Sequence, residues 1–318
     1  MATAEEKVNL PRISVIVPCW NEAEVLPLFY QAMAREMSQR PDLEWELLLV
    51  DDGSTDGTLS QFRDLRRMDK RVRYASFSRN FGKEAAVLCG LRMATGDFLA
   101  FVDADLQHPP ALLGQMYDIL RDDPDTDVVG ARRVDRAGES PVRSFLARGF
   151  YGVVNRLSDL SVPQGATDFR LMRRRVAEAI LSLPEHSRFT KGLFALVGFP
   201  TRWLEYENVN RAAGESKWSL RALLQYSLDG ICALSLKPLR FAFFSAALLG
   251  LGALALFICA LCIPGSRGGL ALGGLVCLVG ALLLGNMGIQ SQYLGKIYQE
   301  VKARPLYFVR ETSEERPQ

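Results

Sequence analysis

"FLAFVDADLQHPP", residues 98–110, runs an apolar, strand-like segment straight into two aspartates one residue apart and stops at two prolines. Carboxylates that close repel, and in a drying pocket one would take up a proton unless a cation lay between them. A divalent metal is the simplest resolution. If "FLAFV" is a central strand of an α/β sheet, Asp103 and Asp105 leave it at the carboxyl edge, where such sheets bind ligands. "DDPDTD" at 122–127 has the same aspartate spacing but precedes a strand, so it belongs to the opposite edge as a solvated turn.

Outward from that stretch, short β-branched runs alternate with longer amphipathic ones. "ISVIV" is followed by Glu22 to Met37, "WELLLV" by Thr55 to Arg67, "VRYASF" by Phe81 to Ala94, and "DFLAFV" by Pro109 to Leu120, before "DVVGA". This rhythm predicts βα units and a mostly parallel sheet covered by helices on both faces. Further on, the pattern predicts a helix around Val142 to Leu157, a loop "SVPQGATDF", a helix from Arg173 to Leu183 and strand pieces near Trp203 to Asn208.

The 38 Lys plus Arg nearly balance the 36 Asp plus Glu, which argues against a nucleic-acid binder that works by neutralising phosphates. "MATAEEKVNLPR" lacks the apolar region of a secretory signal, so the residues after it are expected to stay in the cytoplasm. Six scattered cysteines make no disulfide framework, and Cys259 and Cys262 form a CxxC inside an apolar run, where packing explains them better than redox chemistry. With His108 and His186 as the only histidines, His-rich zinc sites are poor candidates.

Composition changes near Trp218. Leu220, Leu223, Leu224, Leu228 and Ile231 keep helical spacing, and residues 218–237 are expected to form an amphipathic helix lying in the membrane interface. Phe241 to Ile263 and Gly268 to Ile289 are two uncharged runs, each near the ~20 residues needed to span a hydrocarbon core. Joined by a tight polar turn, they are expected to form a transmembrane hairpin over residues 238–296. Lys237, Arg240, Lys296, Lys302 and Arg304 flank its outer ends, against Arg267 in the turn, so both ends are expected in the cytoplasm. Residues 297–318 follow as a cytoplasmic tail, and "ETSEERPQ" reads as solvated.

Magnesium or manganese binds through a few carboxylates plus substrate phosphates, so Asp103 and Asp105 imply a phosphate-bearing substrate. Two further loops should converge on their edge: "IVPCWNE" after the first strand and "LLLVDDGSTDGT" after the second. There Asp52 could accept a hydrogen bond from a nucleobase, Trp20 could wall the base pocket, and Glu22 could hold ribose or base. Singly these are ordinary turn and cap residues; three such loops on one edge are not. Neither a G-x-G-x-x-G nor a P-loop signature accompanies them.

"VPCWNE", "LLVDDGSTDGT", "RNFGKEAA", "DADLQHPP", "DFRLM" and "RAAGESKWS", in this order and ahead of two apolar runs, resemble the family 2 glycosyltransferases that charge a polyprenyl phosphate. Bacterial undecaprenyl-phosphate glucosyltransferases fit best, with dolichyl-phosphate mannose synthases as the neighbouring group. The resemblance implies a GT-A fold in residues 1–217, a nucleotide-sugar donor with UDP-glucose favoured, a polyprenyl-phosphate acceptor, Mg2+ or Mn2+, and inversion at the anomeric carbon. It also implies a homo-oligomer and a multi-pass protein of the bacterial inner membrane, its catalytic domain cytoplasmic. Carried over by motif, it puts Pro18, Trp20, Glu22, Asp52, Asp103 and Arg211 on the nucleotide sugar, and Asp103, Asp105 and Gln107 on the metal. Arg132, Arg143 and Lys217 would meet the acceptor phosphate. Asp168 and Asp105 would be the catalytic carboxylates, Asp168 as base or orienting group. Cys19-Trp20 departs from the tyrosine common before Asn-Glu, but an aromatic wall survives.

A phosphate monoester has its second pKa near 6, so the acceptor is already largely ionised and barely needs a base. Positioning and charge neutralisation should supply most of the catalysis. One rival is a processive polysaccharide synthase, whose Q-x-x-R-W signature is only partly matched by "FPTRW", with Phe199 where glutamine should stand; Arg202 and Trp203 therefore read as structural. A non-catalytic nucleotide-sugar-binding scaffold would be expected to lack Asp103 or Asp105, and both are present.

Overall fold

The computed structural model describes residues 10–133, 166–185, 188, 190–206, 239, 244–252, 254–255 and 267–314. Four β-strands, each followed by a helix, open the chain: β1 (Arg12–Cys19), α1 (Leu26–Gln39), β2 (Glu44–Asp51), α2 (Thr58–Met68), β3 (Val72–Phe77), α3 (Lys83–Met93), β4 (Phe98–Phe101) and α4 (Leu112–Asp122). β1 lies between β2 and β4, parallel to both, and β2 pairs parallel with β3. Their alternation sends Ile13, Val15, Val17, Leu47 and Leu49 to one face, against Phe29, Met33 and Phe62 of α1 and α2. Ile16 and Leu48 go to the other, with Val87 and Leu91 of α3. Burial on both faces is why these strands read as near-continuous apolar runs. Each fully buried side chain of this kind contributes roughly 1.5–3 kcal/mol.

The second half of the sheet departs from the simple parallel expectation. β5 (Val128–Arg133) pairs antiparallel with β6 (Ala166–Arg173), which also pairs antiparallel with β4, while β7 (Thr201–Tyr206) lies parallel to β5. The sheet order is β7-β5-β6-β4-β1-β2-β3-β8. β6 occupies the stretch expected to end a loop. "ATDFRLMR" alternates Phe169, Leu171 and Arg173 with Asp168, Arg170 and Met172, and the polar residues of that second face hid a strand whose neighbours are distant in sequence. α5 (Arg174–Ser182) and α6 (Thr190–Val197) follow, α5 close to the expected helix. At the opposite edge, Asp127 is not part of a solvated turn: it is buried and ion-paired with Arg175. Trp203 lies on Gly130, where a Cβ would stand 2.6 Å from the indole, and Arg202 pairs with Asp123 at 3.2 Å, so both are structural.

The end of the chain is also a correction. β8 (Val309–Thr312) pairs antiparallel with β3 and covers the sheet's edge, so "ETSEERPQ" does not begin as a solvated tail. Glu311 reaches Arg63 at 2.6 Å and the Tyr74 hydroxyl at 2.8 Å, and Tyr307 stacks on Phe77 with ring centres 4.7 Å apart. An exposed edge invites pairing with other chains, and β8 covers the six-residue edge of β3 with a four-residue edge strand, two of whose residues are charged.

Contacts divide the chain into one unit of residues 1–149, 162–218 and 305–318 and another of 150–161 and 219–304. In the second, α7 (Arg267–Lys302) runs for 36 residues, well beyond the expected end at Ile289. Among the described residues it is the one helix long and apolar enough to cross a membrane. Residues 244–252 are helical, and Asn286 of α7 donates to the Ser245 hydroxyl at 3.1 Å. The expected interfacial helix, most of the first apolar run and the helix around Val142 to Leu157 lie outside the described residues.

Candidate active site

The carboxyl ends of β1, β2 and β4 share one rim, and the loops leaving them are tied together by short polar side chains. Asn21 turns the chain through a left-handed conformation (φ 54°), which delays the start of α1 from the expected Glu22 to Leu26. Its N–H donates to Ser54 Oγ at 2.8 Å, and its side-chain oxygen accepts from the Thr55 N–H at 2.9 Å. The Glu22 N–H donates to Thr58 Oγ1 at 2.9 Å, and Asp56 accepts from the Ala23 N–H at 3.2 Å. Trp20, 42% exposed, stands on this bound loop with its indole accessible.

In "DDGSTDGT" every early residue has a job in the turn. Asp51 accepts from the Ser54 N–H and the Ser76 hydroxyl. Asp52 is buried, and its two carboxylate oxygens accept the N–H groups of Phe81 (2.6 Å) and Gly82 (2.9 Å). Burial pushes the Asp52 carboxyl up, against the two N–H bonds that favour its charge. Gly53 adopts φ +68°, and a Cβ there would meet the Arg79 carbonyl carbon at 2.3 Å. These contacts hold residues 79–82 at the rim and so fix where Lys83, the next residue, begins α3.

Lys83 is the centre of the arrangement. Its Nζ lies 2.7 Å from Asp103 Oδ1 and 3.0 Å from Asp168 Oδ2. The two carboxylates meet because β6 is antiparallel to β4: Phe101 pairs with Arg170, so two places further along Asp103 stands level with Asp168. Burial works against the ammonium charge, yet the two carboxylates outweigh it and hold Lys83 well above the ordinary lysine value. The surrounding cleft is lined by Pro18, Lys83, Glu84, Val87, Phe101, Asp103, Asp168 and Thr190. Glu84 accepts from the Thr190 N–H at 3.1 Å and from its hydroxyl; burial raises its carboxyl despite both bonds. Arg170 lies buried below Asp168, 3.9 Å over the Phe194 ring, and burial pushes it down to about 10. Among the described residues its Nε has no hydrogen-bond partner.

The loop carrying Asp105 and Gln107 is bent by Leu106, which holds φ 58°. A left-handed leucine costs about 1–2 kcal/mol, which its packing against the core helps offset. The turn is closed by the Gln107 N–H donating to Asp105 Oδ1 at 3.1 Å. Beneath it, His108 is buried, 2.6 Å through Nδ1 from the Tyr206 hydroxyl and stacked on Phe169.

Of the residues singled out in the sequence, Pro18, Asp103 and Asp168 line the cleft, and Trp20, Glu22, Asp52, Asp105 and Gln107 stand on loops of the same rim. Arg132 reaches that edge on β5. Arg143, Arg211 and Lys217 lie outside the described residues. Phe81 to Ala86 in "RNFGKEAA" reads in the sequence either as part of the donor pocket or as a simple helix start, without Lys83 being singled out, although lysine in the first turn of a helix opposes the helix dipole and needs another reason to be there. The Glu84–Thr190 pair spans 106 positions and had no local signal.

Among the described residues no three His, Cys, Asp or Glu side chains form a ready-made metal cage. Hard carboxylate oxygens from Asp103 and Asp105 nonetheless suit magnesium or manganese, which complete their shells with water and substrate phosphate. Asp103 already faces a cation, the Lys83 ammonium, so the donor set fits a positively charged guest.

The sequence matches the model of Glycosyl transferase family 2 over residues 14–181. It is 38% identical over 307 residues to "Putative glycosyltransferase CsbB" of Bacillus subtilis, covering 95% of this chain and 92% of that one. It is 35% identical over 311 residues to the "SfII prophage-derived bactoprenol glucosyl transferase" of Shigella flexneri, covering 96% and 100%. Among solved structures it resembles the mannosyltransferase PcManGT of Pyrobaculum calidifontis, in complex with GDP-Man and Mn2+. The TM-score is 0.50 at 20% identity, over 94% of this chain and 88% of that one, which shows a common GT-A fold.

Proposed function

The chain belongs to glycosyl transferase family 2, and from that premise we propose that it transfers glucose from UDP-glucose to a polyprenyl phosphate, with inversion, at the cytoplasmic face of a bacterial plasma membrane. The geometric observation that carries the proposal is the meeting of Asp103 and Asp168 on one cation at the carboxyl rim. A full-length relative named a bactoprenol glucosyl transferase supports the acceptor.

In this reading Trp20, Pro18 and Glu22 hold the nucleoside, with Arg211 on the donor phosphates. Asp52 shapes their pocket from below by holding Phe81 and Gly82. Asp103, Asp105 and Gln107 hold Mg2+ or Mn2+, which when bound neutralises charge on the departing diphosphate. A solved fold neighbour binds GDP-Man and Mn2+, which supports a nucleotide sugar and a divalent ion. Arg132, Arg143 and Lys217 receive the acceptor phosphate. Asp168, engaged by Lys83, orients the reacting groups and is not a base, since the phosphate oxygen is already ionised. The apolar length of α7 supports a membrane anchor, and in this reading the preceding apolar run pairs with it as a hairpin.

Radiolabelled UDP-glucose and undecaprenyl phosphate incubated with the full chain in detergent test this reading. A lipid-extractable labelled product that disappears with chelator is expected. A water-soluble polymer, or nucleotide binding without transfer, would refute it.

A further inference from the structure

We propose that Lys83 is a positioning residue that holds the metal's place: its ammonium group bridges Asp103 and Asp168 in the metal-free enzyme, competes with the divalent ion for Asp103, and keeps Asp168 when Asp103 is surrendered. The inference rests on the reading of Asp103 as a metal ligand.

The argument is one of charge at close quarters. Asp103 and Asp168 come from antiparallel neighbours β4 and β6, and nothing in the backbone register keeps their like charges apart. Lys83 Nζ lies within 3.0 Å of both, the shared position a cation would take. Its backbone is fixed where α3 begins, directly after the two N–H groups that Asp52 captures, so the ammonium is delivered from a rigid base. The side chain itself is long and 40% exposed, which leaves it free to pivot. The ammonium spans both oxygens of Asp103, 2.7 Å from Oδ1 and 3.0 Å from Oδ2, so a metal ion must take at least one of them from it, and the two cations repel at that distance. A lysine that only built the fold would lower metal affinity when lost, whereas a competitor raises it.

Mn2+, titrated into the detergent-solubilised full chain with UDP present to supply the phosphate oxygens, and read as free ion by electron paramagnetic resonance against a protein-free UDP blank, tests this without turnover. Lys83→Met is expected to bind Mn2+ on the order of fivefold more tightly than the parent, the scale of a charge pair in a half-exposed site. Lys83→Arg, which keeps the charge, stays near the parent. Lys83→Gln serves as a second neutral variant if the methionine protein does not fold. Unchanged or weaker binding in a folded neutral variant overturns the inference and leaves the metal reading standing. Absence of Mn2+ binding in every protein overturns both.

Discussion

Substituting Asp52 by Asn separates two roles for this residue, contact with a nucleobase and support of the loop before Lys83. The carboxylate accepts from Phe81 and Gly82 with one oxygen each, in a buried setting. An amide has one acceptor oxygen, so one N–H keeps its partner and the other faces an NH2. The loss of one hydrogen bond to a charged group costs about 1.5–3 kcal/mol. Part returns because burial already disfavours the Asp52 charge, as its raised carboxyl shows. The net expectation is a destabilisation of about 2 kcal/mol, or ~4–8 °C in melting temperature for a domain of about 200 residues. Thermal unfolding of the full chain in detergent, followed by near-ultraviolet circular dichroism, measures it alongside donor KM. A variant that melts with the parent while its donor KM rises about tenfold, the loss of a single binding contact of ~1.4 kcal/mol, would refute the supporting role.

Asp168→Asn is expected to lower kcat on the order of 100-fold, the cost of misplaced reacting groups, with donor binding little changed; unchanged turnover in steady-state kinetics would remove Asp168 from the site. Gly53→Ala should cost at least about 1–2 kcal/mol for a left-handed alanine and also push the Arg79 backbone away, so lower melting temperature and lower turnover are expected together. The Arg63 guanidinium holds the Glu311 carboxyl down at about 2, so ionised Glu311 stabilises β8 fully above its unfolded value of about 4.3 and loses that contribution as pH falls towards 2. Hydrogen-exchange protection of the Ser313 N–H, bonded to the Tyr74 carbonyl, should decline across that window, and Arg63→Ala should weaken the pH dependence, leaving the smaller part due to the Tyr74 hydroxyl.

Strands β1 to β4 were legible because each is a buried parallel strand whose apolar run is local information. Asp103 and Asp105 were legible for the same reason, since a strand followed by acids points to its own carboxyl end. Asp168 was placed by motif resemblance alone: its stretch read as loop, and the strand it begins runs the other way. β8 was missed because four residues of an edge strand, two of them charged, carry almost no pattern, and their partner β3 lies more than 200 positions away.

Taken by itself, the order of residues determined an α/β sheet with ligand loops at one rim, an acid pair there, and a long apolar segment near the end, because periodicity and turn chemistry act over a few residues. Tertiary structure alone decided that Lys83 would lie between Asp103 and Asp168, that Asp52 would hold the loop before Lys83, and that the chain's last strand would return to extend the sheet beyond β3. Those are contacts between segments far apart in sequence, and only the packing of β6 against β4, and of α3 above them, brings their charges within reach of one another.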